Sequence, residues 1–381
     1  MKNLKVTLLL ALVLIAFTAS LRAEFLYVSY GKGLLSFSIN RETGALTKLP
    51  GTPTLFPTGD GPLALARWGR LLYVSIGGSV FQGTIYKHVV GYHIEGNGQL
   101  QPLPGSPYQV PGGYLAVDPF NRFLYAAISS YSPSTFSAIA VYRIERNGSL
   151  KPVPGSPFAV GTDPSQIAVD PFGRFIYVVD FSARNTAVYQ VQENGALIPV
   201  PGSPFTQSDP ISLAADPFGR YLYVTNENAD TVVSWGVGYN GTLSQLPGSP
   251  TPLAGVWYEN TAIDPFGRYV YVDHGISGLD VFRVTVTGVL EPIQAIGFGS
   301  DIDNNPVGVC VSPNGEFVYE GNANGIVDPG PMTLRVFKSG PGGILTLASG
   351  PYFPLGNNGV GENNPAVEPT EGYPSSMVVA P

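Results

Sequence analysis

The sequence has few of the side chains on which metal and redox centres depend. It contains one cysteine, Cys310, and three histidines in 381 residues. A single cysteine excludes an internal disulfide and a thiolate metal cluster, and the scattered histidines form no zinc motif. Glycine-rich phosphate loops, serine-nucleophile motifs and CxxCH haem attachments are also missing from the sequence. We therefore predict a chain without a redox or nucleotide cofactor, in which Cys310 packs as a small hydrophobic side chain.

Charged residues are scarce as well, at 12% of the chain, and 27 acidic residues outnumber 20 basic ones. Because the lysines and arginines form no cluster, we expect no nucleic-acid partner and no polybasic membrane patch.

The apolar run Val6–Phe17 follows Lys2 and Lys5 and is too short to span a bilayer. This pattern predicts a secretory signal over residues 1–23 with cleavage after Ala23, and an uncleaved anchor is the alternative. After cleavage we expect a secreted or periplasmic monomer without a membrane-inserted segment.

The abundant residues are those of turns and β-strands, with 47 Gly, 36 Pro, 21 Tyr and 20 Phe. They are arranged in a repeat: "AVDPFGRFIYVVD" at 168–180 returns as "AADPFGRYLYVTN" at 214–226. The tyrosine of this motif recurs every 46 to 52 residues, at Tyr27, Tyr73, Tyr125, Tyr177, Tyr223, Tyr271 and Tyr319. This period, with strand signals alone, predicts an all-β, seven-bladed β-propeller with four antiparallel strands, A to D, in each blade.

Turn chemistry divides each repeat into strands. In "DPFG", Asp170 can accept backbone hydrogen bonds and Gly173 can adopt a positive φ, which predicts the hairpin between strands A and B. Asn-Gly pairs such as Asn147-Gly148 predict the hairpin between strands C and D. The following "PGSPF" places prolines on the outermost strand or just after it, where they protect an exposed edge.

The two chain ends share the last blade. The final "PSSMVVAP", residues 374–381, aligns with the inner strand "PSQIAVDP" at 164–171, whereas residues 24–53 supply strands B, C and D with no strand A before them. We predict that both ends close the seventh blade, so that residues 24–381 form one propeller domain.

The segments "DPFGRFIYVVD", "DPFGRYLYVTN" and "DPFGRYVYVDH", with the Asn-Gly turns, resemble the YVTN-repeat, lactonase-like seven-bladed propellers, which include relatives of 6-phosphogluconolactonase and muconate cycloisomerase. The resemblance implies this fold and, in its enzymes, a histidine near the start of an inner strand together with arginine and glutamate. The inner-strand starts "DPSQIAVD", "DPISLAAD" and "ENTAIDPF" contain no histidine, and no family residue is carried over to this sequence. The leading hypothesis is therefore a scaffold that binds a protein, glycan or small ligand, and the alternative is a sugar-lactone hydrolase or cycloisomerase.

A site is expected on one face of the ring. The A→B and C→D turns are short and share the turn face, whereas the longer B→C loops and D→A connections share the other, the variable face. On the variable face we predict Asp273 and His274 as a catalytic acid–imidazole pair, with Arg184 as the nearby cation. A histidine in a solvated polar loop is the alternative.

Polar residues on the variable face provide further candidates. We predict ligand contacts from five of them: Asn226, Asn228, Asp230, Glu320 and Asn322. Asp301, Asp303 and Asn305 alternate as the first ligands of a calcium loop do, although Pro306 stands where that loop needs glycine. A structural calcium site and a solvated polar loop are the two interpretations.

Overall fold

The computed structural model describes most of the propeller. The described ranges are 23–30, 33–56, 60–66, 70–76, 88–109, 113–128, 137–161, 163–255, 258–274, 278–297, 304–324, 333–348, 353–354 and 376–380. The predicted signal, apart from Ala23, lies outside them.

The described residues form strands and one short 3-10 helix. The strands are β1 (Glu24–Tyr30), β2 (Gly33–Ile39), β3 (Leu46–Lys48), β4 (Thr54–Leu55), β5 (Asp60–Ala66), β6 (Leu71–Ile76), β7 (His88–Ile94), β8 (Leu100–Pro102), β9 (Tyr114–Val117), β10 (Phe123–Ile128), β11 (Ala138–Ile144), β12 (Leu150–Pro152), β13 (Phe158–Ala159), β14 (Pro164–Val169), β15 (Phe175–Asp180), β16 (Asn185–Val191), β17 (Leu197–Pro199) and β18 (Phe205–Thr206). They continue with β19 (Pro210–Ala215), β20 (Tyr221–Asn226), β21 (Thr231–Val237), β22 (Leu243–Gln245), β23 (Thr251–Pro252), β24 (Tyr258–Ile263), β25 (Tyr269–His274), β26 (Gly278–Val284), β27 (Leu290–Gly297), β28 (Asn304–Val311), β29 (Phe317–Asn324), β30 (Thr333–Ser339), the 3-10 helix Pro341–Gly343, β31 (Leu345–Leu347), β32 (Phe353–Pro354) and β33 (Ser376–Ala380).

These strands pair into seven antiparallel sheets, which confirms the predicted all-β, seven-bladed propeller. Blades 1 to 6 are β5–β8, β9–β13, β14–β18, β19–β23, β24–β27 and β28–β32, and blade 7 combines β33 with β1–β4. The inner strands contact one another in the closed sequence β5, β9, β14, β19, β24, β28, β33 and back to β5. No helix among the described residues is long and apolar enough to cross a membrane.

The chain ends meet in blade 7 as predicted. Strand β33 pairs antiparallel with β1, in a register that aligns Val379 with Leu26. Met377, Val379 and Ala380 are buried there, so the C-terminal strand contributes to the core and to the ladder.

The DPFG turn has the predicted chemistry. The carboxylate of Asp170 accepts hydrogen bonds from the backbone N–H groups of Phe172 and Arg174, and Gly173 has a φ of 63°. Asp170 also binds the guanidinium of Arg174 at 2.7 Å, and this guanidinium lies over the ring of Phe172. The same pairing of aspartate and arginine recurs in four consecutive blades, at Asp118–Arg122, Asp170–Arg174, Asp216–Arg220 and Asp264–Arg268.

The PGSPF element follows the outermost strand, as predicted, and the strand resumes after it. Its prolines lie between two short pieces of the outermost strand, such as β12 and β13, both of which pair with β11. The backbone N–H of Val141 on β11 donates instead to the hydroxyl of Ser156, at 2.9 Å. The serine thereby supplies the acceptor that the interrupted strand does not, because a mid-strand N–H needs a partner.

Apolar clusters fill the spaces between neighbouring blades. Tyr223 and Val232 of blade 4 pack on Val270, Val272 and Phe282 of blade 5. Cys310 is likewise buried among apolar side chains, as predicted, and burial raises the pKa of its thiol.

Candidate functional site

The seven repeats can be compared position by position, which shows where one blade departs from the others. The residue after the repeat tyrosine pairs across to strand C, and this cross-strand pair is apolar in five blades: Val28–Leu35, Val74–Val90, Ala126–Ala140, Val178–Ala187 and Val224–Val233. The equivalent pair is Val272–Asp280 in blade 5 and Glu320–Arg335 in blade 6. Blades 5 and 6 therefore bury charged groups at a position that packing alone fills with apolar side chains.

Glu320 and Arg335 form a buried ion pair. Arg335 Nη1 lies 3.0 Å from Glu320 Oε2, and the side chains are 6% and 1% exposed respectively. Burial raises the pKa of Glu320, and the charge of Arg335 opposes this shift. The predicted ligand contact from Glu320 therefore comes from a side chain that is enclosed and already paired in this structure.

The pair faces blade 5. Val318 and Phe337, two residues away on each strand, pack on Tyr271 of blade 5. Because side chains alternate along a strand, Glu320 and Arg335 face the same interface. Asp273 follows Tyr271 by two residues and is fully buried, so it points into this interface from the opposite side.

His274 points the other way, towards blade 4. Adjacent strand residues face opposite sides of the sheet, so the predicted orientation of His274 by Asp273 is not what the strand geometry provides. The carboxylate placed beside the imidazole is Asp280, whose Oδ1 lies 4.0 Å from His274 Nε2. Gly255 and Gly278 enclose the ring so closely that a Cβ atom on either residue would collide with it.

Burial controls the protonation of this pair. It lowers the pKa of His274, against the opposing charge of Asp280, and it raises the pKa of Asp280. His274 is 8% exposed, and the ring is thus an enclosed group. It is not a histidine in a solvated loop.

Arg184 lies in a different part of the variable face, between blades 3 and 4. It occupies the β15–β16 turn with a φ of 54°, and its Nε lies 2.8 Å from Asp209 Oδ1. The Arg184 side chain is 69% exposed, so it remains accessible to a ligand. Among the described residues, the structure does not bring Arg184 together with Asp273 and His274 of blade 5.

Glu227, by contrast, shares its neighbour Asp209 with Arg184. The backbone N–H of Glu227 donates to the carbonyl oxygen of Asp209 at 3.0 Å. Partial burial and then the charge of Asp209 raise the pKa of Glu227. The sequence signal was the polar loop at 226–230, and nothing in that loop indicates that Glu227 lies near Asp209.

The other predicted ligand residues have varied positions. Asn226 is buried at the end of β20, with its amide directed at the Thr231 hydroxyl, 3.4 Å away. Asn228 and Asp230 are exposed in the turn that follows, and Asp230 has a φ of 48°. Asn322 lies on β29, and its side chain is outside the described residues.

The predicted calcium ligands are not described in full. Asp301 and Asp303 lie outside the described residues, and for Asn305 only the backbone, on β28, is described. In the described part of the chain, no three His, Cys, Asp or Glu side chains lie together as metal ligands.

Comparisons with known proteins find matches over most of the chain. A family model described as a lactonase with a seven-bladed β-propeller matches residues 26–326. No match is found among curated proteins.

Solved structures give similar folds. The periplasmic gluconolactonase of Pseudomonas aeruginosa is 20% identical with a TM-score of 0.70, over 94% of this chain and 99% of that one. A candidate 6-phosphogluconolactonase from Bacteroides uniformis is 18% identical with a TM-score of 0.70, over the same shares, 94% and 99%. A protein of unknown function from Desulfotomaculum acetoxidans is 12% identical with a TM-score of 0.68, over 94% and 99%. Identities this low establish a shared fold.

Proposed function

Because the chain belongs to the seven-bladed β-propeller lactonase family, we propose that it hydrolyses a sugar lactone on the variable face, with Glu227 as the base and Arg184 as the oxyanion-binding cation. The observation that carries this proposal is the contact of both residues with Asp209: Arg184 through an ion pair of 2.8 Å and Glu227 through a backbone hydrogen bond of 3.0 Å. Of the two functions inferred from the sequence, family membership favours the lactone hydrolase over the non-catalytic scaffold.

Lactone hydrolysis needs a base that activates water and a cation that stabilises the oxyanion. The Glu227 carboxylate takes a proton from water as the water oxygen attacks the lactone carbonyl carbon, and the carbonyl π electrons move to oxygen. The Arg184 guanidinium stabilises the resulting oxyanion. When the intermediate collapses, the ring C–O bond breaks and Glu227 returns its proton to the departing alkoxide.

Asp209 positions both groups. Its ion pair holds the Arg184 side chain at the loop, which limits the number of orientations that the long side chain samples. Its negative charge adds to the burial that raises the pKa of Glu227, and a carboxylate with a raised pKa is a stronger base. Glucono-δ-lactone is the substrate class we propose, from the similarity to a gluconolactonase.

The test is hydrolysis of glucono-δ-lactone above its spontaneous rate, followed by proton release in a weakly buffered indicator solution. Glu227→Gln should lower kcat by about 10²- to 10⁴-fold, since it removes the base and preserves shape. Arg184→Gln should lower kcat/KM, whereas Glu193→Gln, an exposed change on the turn face, should leave both parameters unchanged.

Two results would change the assignment. Turnover that survives Glu227→Gln and disappears in His274→Asn would place the base in blade 5. The absence of turnover in the unmodified protein would favour the scaffold hypothesis, in which the protein binds a protein, glycan or small molecule.

We also propose export of the protein from the cytoplasm, supported by the charged and apolar pattern of residues 1–23. N-terminal sequencing of the protein recovered from cells should begin at Glu24. A sequence that begins at Met1 in the membrane fraction would favour the uncleaved anchor.

A further inference from the structure

We propose that a cavity between blades 4 and 5, with Asp280 in its wall, binds a small organic cation that carries a primary ammonium group. The site is separate from the Arg184 and Glu227 loops and does not depend on the proposed hydrolysis.

The cavity measures about 200 Å³. Pro252 and Ala254 line it from blade 4 and the connection that follows, and Asp280, Phe282 and the β27 segment 292–295 line it from blade 5. This volume is below that of pockets for drug-sized ligands, so the site fits a ligand of a few heavy atoms.

A buried carboxylate needs a positive partner or several hydrogen bonds, because desolvation of the charge is costly. Asp280 is 2% exposed, and its Oδ2 accepts one hydrogen bond, from the backbone N–H of Ala254 at 2.8 Å. The imidazole of His274 lies 4.0 Å from the other carboxylate oxygen, Oδ1, and carries no permanent charge. The described surroundings thus give this carboxylate no fixed positive charge.

The remaining lining residues suit the alkyl chain of such a ligand. Pro252 and Pro292 offer apolar surface to a short alkyl chain. An ammonium donates three hydrogen bonds and suits a carboxylate acceptor, whereas an anion would meet the charge of Asp280 unfavourably.

The repeat supplies an internal control. The equivalent cavity of blade 3 is lined by Ala187 and Tyr189, where blade 5 has Asp280 and Phe282. Blade geometry alone accounts for a cavity and an aromatic wall at this place, but it does not account for a buried acid.

The experiment uses three probes of similar shape: propylammonium, 1-propanol and propionate, titrated into the full protein by isothermal calorimetry at constant ionic strength. We expect propylammonium to bind at one site, and 1-propanol and propionate to bind at least about tenfold more weakly. Asp280→Asn should weaken propylammonium binding by the same factor, since the amide retains an acceptor for Ala254 but carries no charge.

A second variant avoids any change in the buried carboxylate. Ala295 is exposed on β27 directly across from Asp280 and lines the cavity. Ala295→Lys places a tethered ammonium beside Asp280 and should abolish propylammonium binding, whereas Ile198→Lys, an exposed outer-strand change in blade 3, should not.

Absence of propylammonium binding to the unmodified protein would overturn the proposal. So would equal affinity for 1-propanol, or binding that persists in both Asp280→Asn and Ala295→Lys. Because the proposed hydrolysis is measured with Glu227 and Arg184 variants, either proposal can fail without the other.

Discussion

The hydroxyl of Tyr73 donates a hydrogen bond to the carbonyl oxygen of Gly148, 2.7 Å away in the next blade. Tyr27 reaches Gly98 and Tyr223 reaches Gly288 in the same manner, at 2.8 and 3.0 Å. In these three cases the repeat tyrosine of one blade therefore donates to the C→D turn of the following blade. Two sequence signals that are about 75 residues apart belong to one contact.

Tyr73→Phe should lower the free energy of unfolding by about 1 kcal/mol, because it removes this buried hydrogen bond and leaves the Gly148 carbonyl with a weaker partner. Urea unfolding followed by fluorescence measures the change. Tyr221→Phe is the matched control, since the Tyr221 hydroxyl lies 3.4 Å from its acceptor in an exposed position and should matter little. Equal effects of the two changes would contradict the argument.

Removal of residues 374–381 should lower the melting temperature by roughly 10 °C or more, because it removes β33 and its three buried side chains and exposes the inner edge of β1. Removal of Pro381 alone, which lies beyond β33, is the control. A melting temperature that is the same for both truncations would show that the ring does not depend on this closure.

Gly173→Val should destabilise the protein by more than about 1 kcal/mol, because Gly173 has a φ of 63° that a β-branched residue resists. The added Cβ would also lie 2.6 Å from the Asp118 carboxylate and 2.7 Å from the Arg122 guanidinium. Gly96→Val, in a turn where an added Cβ meets nothing within 4 Å, is the control. Calorimetric melting temperatures distinguish the two.

Arg335→Val should destabilise the protein by about 3 to 5 kcal/mol, because it leaves the buried Glu320 carboxylate without its ion-pair partner. The double change of Glu320 and Arg335 to Val recreates the Val224–Val233 pair of blade 4 and should restore most of this stability. A stable double variant with altered turnover or ligand binding would assign the pair a functional role. A double variant less stable than Arg335→Val would contradict the comparison between blades.

The pH profile of hydrolysis should report Glu227. Its raised pKa means that the carboxylate is protonated, and inactive as a base, at pH values where an ordinary glutamate is still ionised. The acid limb of log kcat against pH should therefore lie above the ordinary glutamate value of 4.5. Asp209→Asn removes one cause of the shift, so it should move this limb to lower pH, whereas Asp216→Asn on the turn face should leave its midpoint in place.

The repeat architecture was readable in the sequence because each signal is local. A DPFG turn, an apolar run with tyrosine and an Asn-Gly turn each constrain a few consecutive residues. The seven tyrosine runs, with these turns between several of them, specify the blades and their order. The break in the outermost strand was not readable, since "PGSPF" is compatible with a strand that ends and with one that resumes. The choice depends on the pairing of both pieces with the same strand C.

The polar residues of the site depended on tertiary structure, for a different physical reason. Asp273 and His274 are adjacent in sequence, yet strand alternation directs them into opposite blade interfaces, and Asp280 from the neighbouring strand lies beside the imidazole instead. Glu227 differs from Asn226 and Asn228 through its position near Asp209, a residue of another loop. Burial and charge are set by groups distant in the chain, so the sequence identified the variable face, and the packing of the blades decided which of its side chains lie together.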